Sequence, residues 1–250
     1  MENSIKSAIV ISDIRNFTGT FADFEKSGNM DFIDFISDFY NMQILIARTI
    51  SNDFWYNSLG DSMLFIFYGK EHSRKAYTFS MMLHRYLKTY CHKFNEKHNT
   101  KVSFGIGVDC GNVTQMFIKD GDKVIPSTYL GNVINVTSRI EQLTKQFGET
   151  EMLVGGNIYE YLMQDLYPLE YNFSFFNNNY TENLRKNPQI VLMSENILLY
   201  YIFKLVLNGI EKSLPLFRYD NQLASEDETF YAVVERLVGT EIKNKLSKLY

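Results

Sequence analysis

Between Val102 and Asp109 two kinds of residue alternate without a break. Val102, Phe104, Ile106 and Val108 are apolar, and Ser103, Gly105, Gly107 and Asp109 are small or polar. A period of two describes a β-strand with one apolar face and excludes a helix. Gly111-Asn112 then reads as a turn into a second strand, Val113–Ile118. Around this anchor, Ser7–Ile11 reads as a buried strand that breaks at Asp13. Asp53–Asn57 and Ser62–Tyr68 read as a hairpin turning at Leu59-Gly60-Asp61. Helical spacing marks Asp31–Ser51, with Asn29 and Asp31 as N-cap oxygens, and also His72–Glu96, Leu130–Phe147 and Glu226–Leu249. Ile197–Lys204 and Leu214–Tyr219 form a candidate second hairpin, and 167–187 reads as an insertion. Hairpins among alternating helices predict an α+β domain over residues 1–219, with a mixed, mainly antiparallel sheet and helices on one face. Residues 220–250 read as a C-terminal helical extension.

The balance of charge narrows the function. With 25 Lys and Arg against 29 Asp and Glu among 250 residues, the net charge is −4. No basic excess is available to neutralise a nucleic-acid backbone. Two cysteines, Cys91 and Cys110, make neither a disulfide framework nor a four-ligand zinc site and read as free thiols. Met1–Ser7 lacks the apolar core of a signal peptide, and no apolar run approaches about 20 residues. These features predict a soluble, cytoplasmic chain without a membrane partner. His84, His92 and His98 are not spaced as a ligand pair and read as surface residues.

Three groups of residues suit chemistry. Asp13 ends the first strand and Asp61 sits in the hairpin turn. If those strands are neighbours, two carboxylates meet at one rim of the sheet, a hard-oxygen pair for Mg2+ or Mn2+; separately, they are a strand end and a turn residue. Ile14–Gly19 opens a loop or helix start whose backbone N–H groups suit phosphate. Asn135 and Arg139 share a helix face offset from the Val133, Ile140, Leu143 stripe. Guanidinium beside amide suits a ribose and a phosphate, the alternative being a solvated face.

Taken in order, five segments resemble the motifs of class III nucleotidyl cyclases: Ile9–Thr18, Ser58–Asp61, Phe104–Val113, Tyr129–Glu141 and Leu207–Ile210. The resemblance implies a ferredoxin-like βαββαβ core. It also implies that Asp13, Asp61 and the backbone of Ile14 hold two divalent cations, and that the segment at Ile14, Phe17 and Thr18 contacts phosphates. Asn135 then orients the ribose and Arg139 stabilises charge in the transition state. The two aspartates meet Asn135 and Arg139 only across a head-to-tail homodimer with shared active sites.

Departures from the family pattern concern the base and the phosphates. Purine cyclases carry Lys and Asp, or Glu and Cys, where this chain has Asn57 and Thr128, and the bulky Trp55-Tyr56 pair beside Asn57 is a candidate to narrow the base pocket. Lacking a purine-reading pair, the chain resembles the stand-alone pyrimidine cyclases of bacterial Pycsar anti-phage systems. That implies a nucleoside triphosphate substrate, UTP favoured, a cyclic UMP product and a separate effector activated by it. Cytidylate or adenylate chemistry, or a silent nucleotide-binding module, are the alternatives. Asn208 stands where a phosphate-binding Lys is usual, with Lys204 or Lys212 as candidate substitutes. Asn16 stands where Gly is commoner.

Overall fold

The computed structural model describes residues 4–120, 123–148, 150–166, 199–205, 214–219 and 227–249. Its strands are β1 (Ser4–Arg15), β2 (Phe54–Leu59), β3 (Ser62–Tyr68), β4 (Ser103–Asp120), β5 (Lys123–Leu130), β6 (Thr150–Gly155), β7 (Leu199–Leu205) and β8 (Leu214–Tyr219). The helices are α1 (Phe17–Ser27), α2 (Asp31–Ile50), α3 (His72–His98), α4 (Asn132–Leu143), α5 (Gly156–Leu166), α6 (Asp227–Val238) and α7 (Thr240–Leu246). A 3-10 turn, Thr144–Gln146, continues α4.

The alternating strand sits near the middle of one sheet, in the order β2-β3-β1-β4-β6-β8-β7, with β5 paired to the far half of β4. Among the described strands only β4 and β6 run parallel. This is the α+β architecture expected, with one change: helices cover both faces of the sheet. Ala8, Val10, Phe65, Phe67, Phe104, Ile106 and Val108 form the main core with α2, α3, α5 and α6. Ile9, Leu64, Ile66 and Val113 point the other way, where Tyr129 of β5 and Val133 of α4 cover them. Strand pleating supplies two apolar faces here, so the stripe of α4 finds its own side. A Cβ on Gly107 would lie 2.6 Å from the Glu141 nitrogen and 2.7 Å from the Thr137 oxygen. Glycine at this position therefore lets the α4 backbone lie directly on β4.

Several expected boundaries shift. β1 continues through Asp13 to Arg15, because Asp13 pairs with Ser62 on one side and Gly105 on the other. Gly111-Asn112 is no turn: both residues stay in β4, opposite Ser7 and Lys6. The helix start read at Ile14–Gly19 becomes α1, whereas β5, β6 and α5 have no counterpart in the sequence reading. The C-terminal helix is two helices, broken at Gly239 with φ 84°. Phe230, Val233, Val234, Leu237 and Leu246 from these helices join the main core. His84 is buried rather than exposed, between the rings of Phe104 and Tyr219. Burial pushes its pKa down to about 3. The 167–187 segment lies outside the described residues.

Candidate active site

Asp13 and Asp61 are brought together by pairing of β1 with β3. The Ile14 N–H donates to the Asp61 carbonyl oxygen at 3.1 Å, tying the turn to β1 just beyond Asp13. Gly60 gives the turn its left-handed φ of 69°. The Tyr40 hydroxyl of α2 donates to the Gly60 carbonyl from outside. Both aspartates line an open cleft of about 620 Å³, together with residues 14–19, Ser103, Lys145 and Gly148.

Electrostatics mark the cleft as an electron-rich oxygen site. The Asp13 carboxyl is pushed up to about 6, first by burial and then by the neighbouring Asp61 charge, against the pull of Lys145 and Arg15. Glu141 behind it is pushed up to about 7, first by burial and then by Asp13. Its Oε1 accepts no hydrogen bond among the described residues.

The candidate phosphate loop takes its shape from Asn16, at φ 60° and ψ 19°. Asn is among the few side chains that tolerate the left-handed region, which accounts for a chain without Gly there. Its Nδ2 also donates to the Lys101 carbonyl at 2.8 Å. The Thr20 N–H bonds to the Asn16 oxygen at 3.0 Å. The N–H groups of Phe17, Thr18 and Gly19 therefore precede the intrahelical ladder of α1, at the cleft wall. The side chains of Ile14 and Phe17 belong to the main core, so their share in the site is backbone.

The other candidates lie elsewhere in the chain. Asn135 and Arg139 are exposed on α4, and neither lines the aspartate cleft. Asn57 is exposed on β2 and Thr128 is half-buried on β5. These two strands touch through Trp55 and Tyr129, whose rings meet edge-on at 5.2 Å. The pleat sends Tyr56 to the face opposite Asn57, where it stacks on Phe65 at 5.8 Å. Asn208 and Lys212 lie outside the described residues. Lys204 is on β7, opposite Pro215.

Residues 1–185 match the adenylate and guanylate cyclase catalytic domain. The chain belongs to this family. It is a class III nucleotidyl cyclase. By fold it is similar to the adenylyl cyclase CyaB from P. aeruginosa, with a TM-score of 0.64 and 16% identity over 88% of this chain and 95% of that one. The guanylyl cyclase Cya2 gives a TM-score of 0.59 and 12% identity over 87% and 93% of the two chains. The guanylate cyclase domain of RhGC from Catenaria anguillulae, in complex with GTP, gives 0.57 and 14% identity over 87% and 97%. No curated protein matches the chain by sequence.

Class III cyclases use divalent metal ions, and the cleft of this cyclase fits them. Two carboxylates face one space, and the burial and mutual repulsion that push Asp13 up are what a bound cation would relieve. Among the described residues no three acidic, His or Cys side chains are grouped so as to hold a metal ion. A divalent cation on such a pair would complete its shell with water and phosphate oxygens. Sequence reasoning passed over Tyr40, Glu141 and Lys145 as site neighbours. Glu141 carries a faint signal as the last residue of the α4 motif; Lys145, in the 3-10 turn beyond it, and Tyr40 carry none, since their contacts cross between elements. No helix among the described residues is long and apolar enough to cross a membrane.

Proposed function

We propose that this cyclase converts a pyrimidine nucleoside triphosphate, UTP foremost, to its 3′,5′-cyclic monophosphate and pyrophosphate, at sites shared between two copies of the chain. The observation that carries the reading is the division of the candidate residues. Asp13, Asp61 and the phosphate loop share one cleft, while Asn135 and Arg139 stand exposed on α4 outside it. A second copy can bring the missing half.

Asp13, Asp61 and the Ile14 carbonyl would hold two divalent cations, Mg2+ or Mn2+. Bound there, such ions acidify the ribose 3′-hydroxyl and neutralise triphosphate charge. The N–H groups of Phe17, Thr18 and Gly19 donate to phosphate oxygens at the start of α1. Asn135 of the second copy holds the ribose so that its 3′-oxygen lies in line with the α-phosphorus. The new bond joins that oxygen to phosphorus, the bond from phosphorus to the β-bridging oxygen breaks, the 3′-hydroxyl proton passes to water, and pyrophosphate leaves. Arg139 of the second copy donates to the phosphate oxygens as charge builds. Asn57 and Thr128 bond the base edge in place of the Lys and Asp or Glu and Cys that read a purine, so the preference for a purine is lost; both side chains donate and accept, and they do not choose between uracil and cytosine. Tyr56, on the opposite face of β2, takes no part in that contact. The product acts in the cytoplasm as a second messenger for an anti-phage effector.

Incubation with Mn2+ and equal ATP, GTP, CTP and UTP, with products identified by mass spectrometry, tests this. A dominant cyclic UMP peak supports the reading. Cyclic CMP keeps the pyrimidine class and changes the base, and a purine product overturns it.

A further inference from the structure

In the aspartate cleft, Lys145 stands with its Nζ 3.9 Å from Asp13 Oδ2. Among the described residues the cations lining this cleft are Arg15 and Lys145. Arg15 is committed to structure. Its Nη2 donates to Thr144 Oγ1 at 2.6 Å and its Nη1 donates to the Gly148 carbonyl. Thr144 Oγ1 in turn donates to the Glu141 carbonyl at 2.5 Å. The 3-10 turn that carries Lys145 is therefore clamped to β1 two residues past Asp13. Lys145 itself is 54% exposed in its side chain. A flexible, half-exposed ammonium on a clamped turn can change partners within the cleft.

We propose that Lys145 is a phosphate-binding residue of the cleft that carries Asp13: it is the carboxylate's counter-ion when the cleft is empty and the partner of the β- and γ-phosphates when nucleotide is bound. This rests on Asp13 and Asp61 being the metal ligands. Two arguments favour it. A divalent cation on Asp13 would displace the ammonium from the carboxylate, and a triphosphate would bring excess negative charge to the same space. The lysine that the family motif leads one to expect is Asn208 here, so a cation from this wall supplies a charge the closing motif lacks.

The test measures two affinities of the full-length chain, for Mn2+ alone and for inorganic pyrophosphate at saturating Mn2+, in wild type, Lys145→Gln, Lys145→Arg and Asp13→Asn. Lys145→Gln should bind Mn2+ alone as tightly as wild type or up to about fivefold tighter, because a competing surface charge is gone. The same variant should bind pyrophosphate about tenfold more weakly, having lost a charge-assisted hydrogen bond. Lys145→Arg should keep most pyrophosphate affinity. A general structural role would weaken both affinities in Lys145→Gln, and that result, or unchanged pyrophosphate affinity, overturns the proposal. Asp13→Asn should lose Mn2+. If it binds Mn2+ like wild type, the metal assignment fails and takes this one with it. If Asp13→Asn loses Mn2+ and Lys145→Gln leaves pyrophosphate binding intact, the Lys145 assignment alone fails.

Discussion

The Tyr40 hydroxyl on α2 donates to the carbonyl oxygen of Gly60, the residue immediately before Asp61. The turn that presents one candidate metal ligand is thus held from the helical layer as well as by its own hairpin. Tyr40→Phe keeps the ring and deletes only the donor. Losing one such bond costs about 1 kcal/mol, or about 2–4 °C in melting temperature for a chain of this size. The expected signature of a positioning residue is a several-fold fall in kcat with a higher Mn2+ requirement. Metal-dependent rate curves beside a thermal melt check it.

Asp13→Asn and Asp61→Asn should each lower turnover by at least about a hundredfold, since each removes an anionic ligand. Neither should unfold the chain. Asp13 is pushed up by burial and by Asp61, so a neutral amide at that position relieves repulsion in the metal-free protein. Product yield and metal-free melting temperature are the two measurements. Retained activity in either variant would remove it from the metal site.

Asp13→Ala and Arg139→Ala chains, each inactive alone, should recover activity when mixed. In a mixed dimer one of the two shared sites keeps both its aspartate and its arginine. Random mixing makes about half of the dimers mixed, so about a quarter of wild-type activity is the ceiling. No recovery after confirmed subunit exchange would argue that each chain completes its own site.

Substitution at Asn57 or Thr128 should change the ratio of rates among UTP, CTP and ATP by about tenfold, more than it changes the best rate. Competition assays on single variants read this ratio. An equal fall for every nucleotide would place both residues outside the base contact.

Asp109 of β4 is fully buried against the first turn of α5, where Asn157 Nδ2 donates to its Oδ2 at 3.2 Å. Burial pushes it up to about 7, against the pull of hydrogen bonds from Cys110, Ile158 and Asn157. The folded pKa lies above the unfolded one. Its favourable contribution is therefore complete below about pH 4 and is lost as pH rises towards 7. Asp109→Asn should remove that loss. The stability gap between variant and wild type should open in favour of Asn from pH 5 to 7, by at most about 1.4 kcal/mol per pH unit, and then level off. Denaturant melts at four pH values measure it, and a gap that shrinks over this range contradicts the assignment.

Local pattern carried much of this fold. Apolar alternation at Val102–Val108 located the central strand, and helical spacing located α2 and α3 to within a few residues. The β2–β3 turn with Asp61 was legible from Leu59-Gly60-Asp61, and the candidate pairing of Asp13 with Asp61 needed only that two strands be neighbours. Ordered motifs were enough to name the family and nominate Asn135 and Arg139. Gly111-Asn112 shows where local pattern fails. As a dipeptide it signals a turn, but flanking pairing with Ser7 and Lys6 keeps it extended.

Only tertiary structure decided which side chains share a space. Tyr56 and Asn57 are adjacent in sequence and lie on opposite faces, because successive side chains alternate across a sheet. Lys145 and Asp13 are far apart in sequence and 3.9 Å apart in space, because Arg15 ties the end of α4 to the end of β1. Spacing along the chain encodes periodicity within an element. Contact between elements depends on register and packing, which no short stretch of sequence contains.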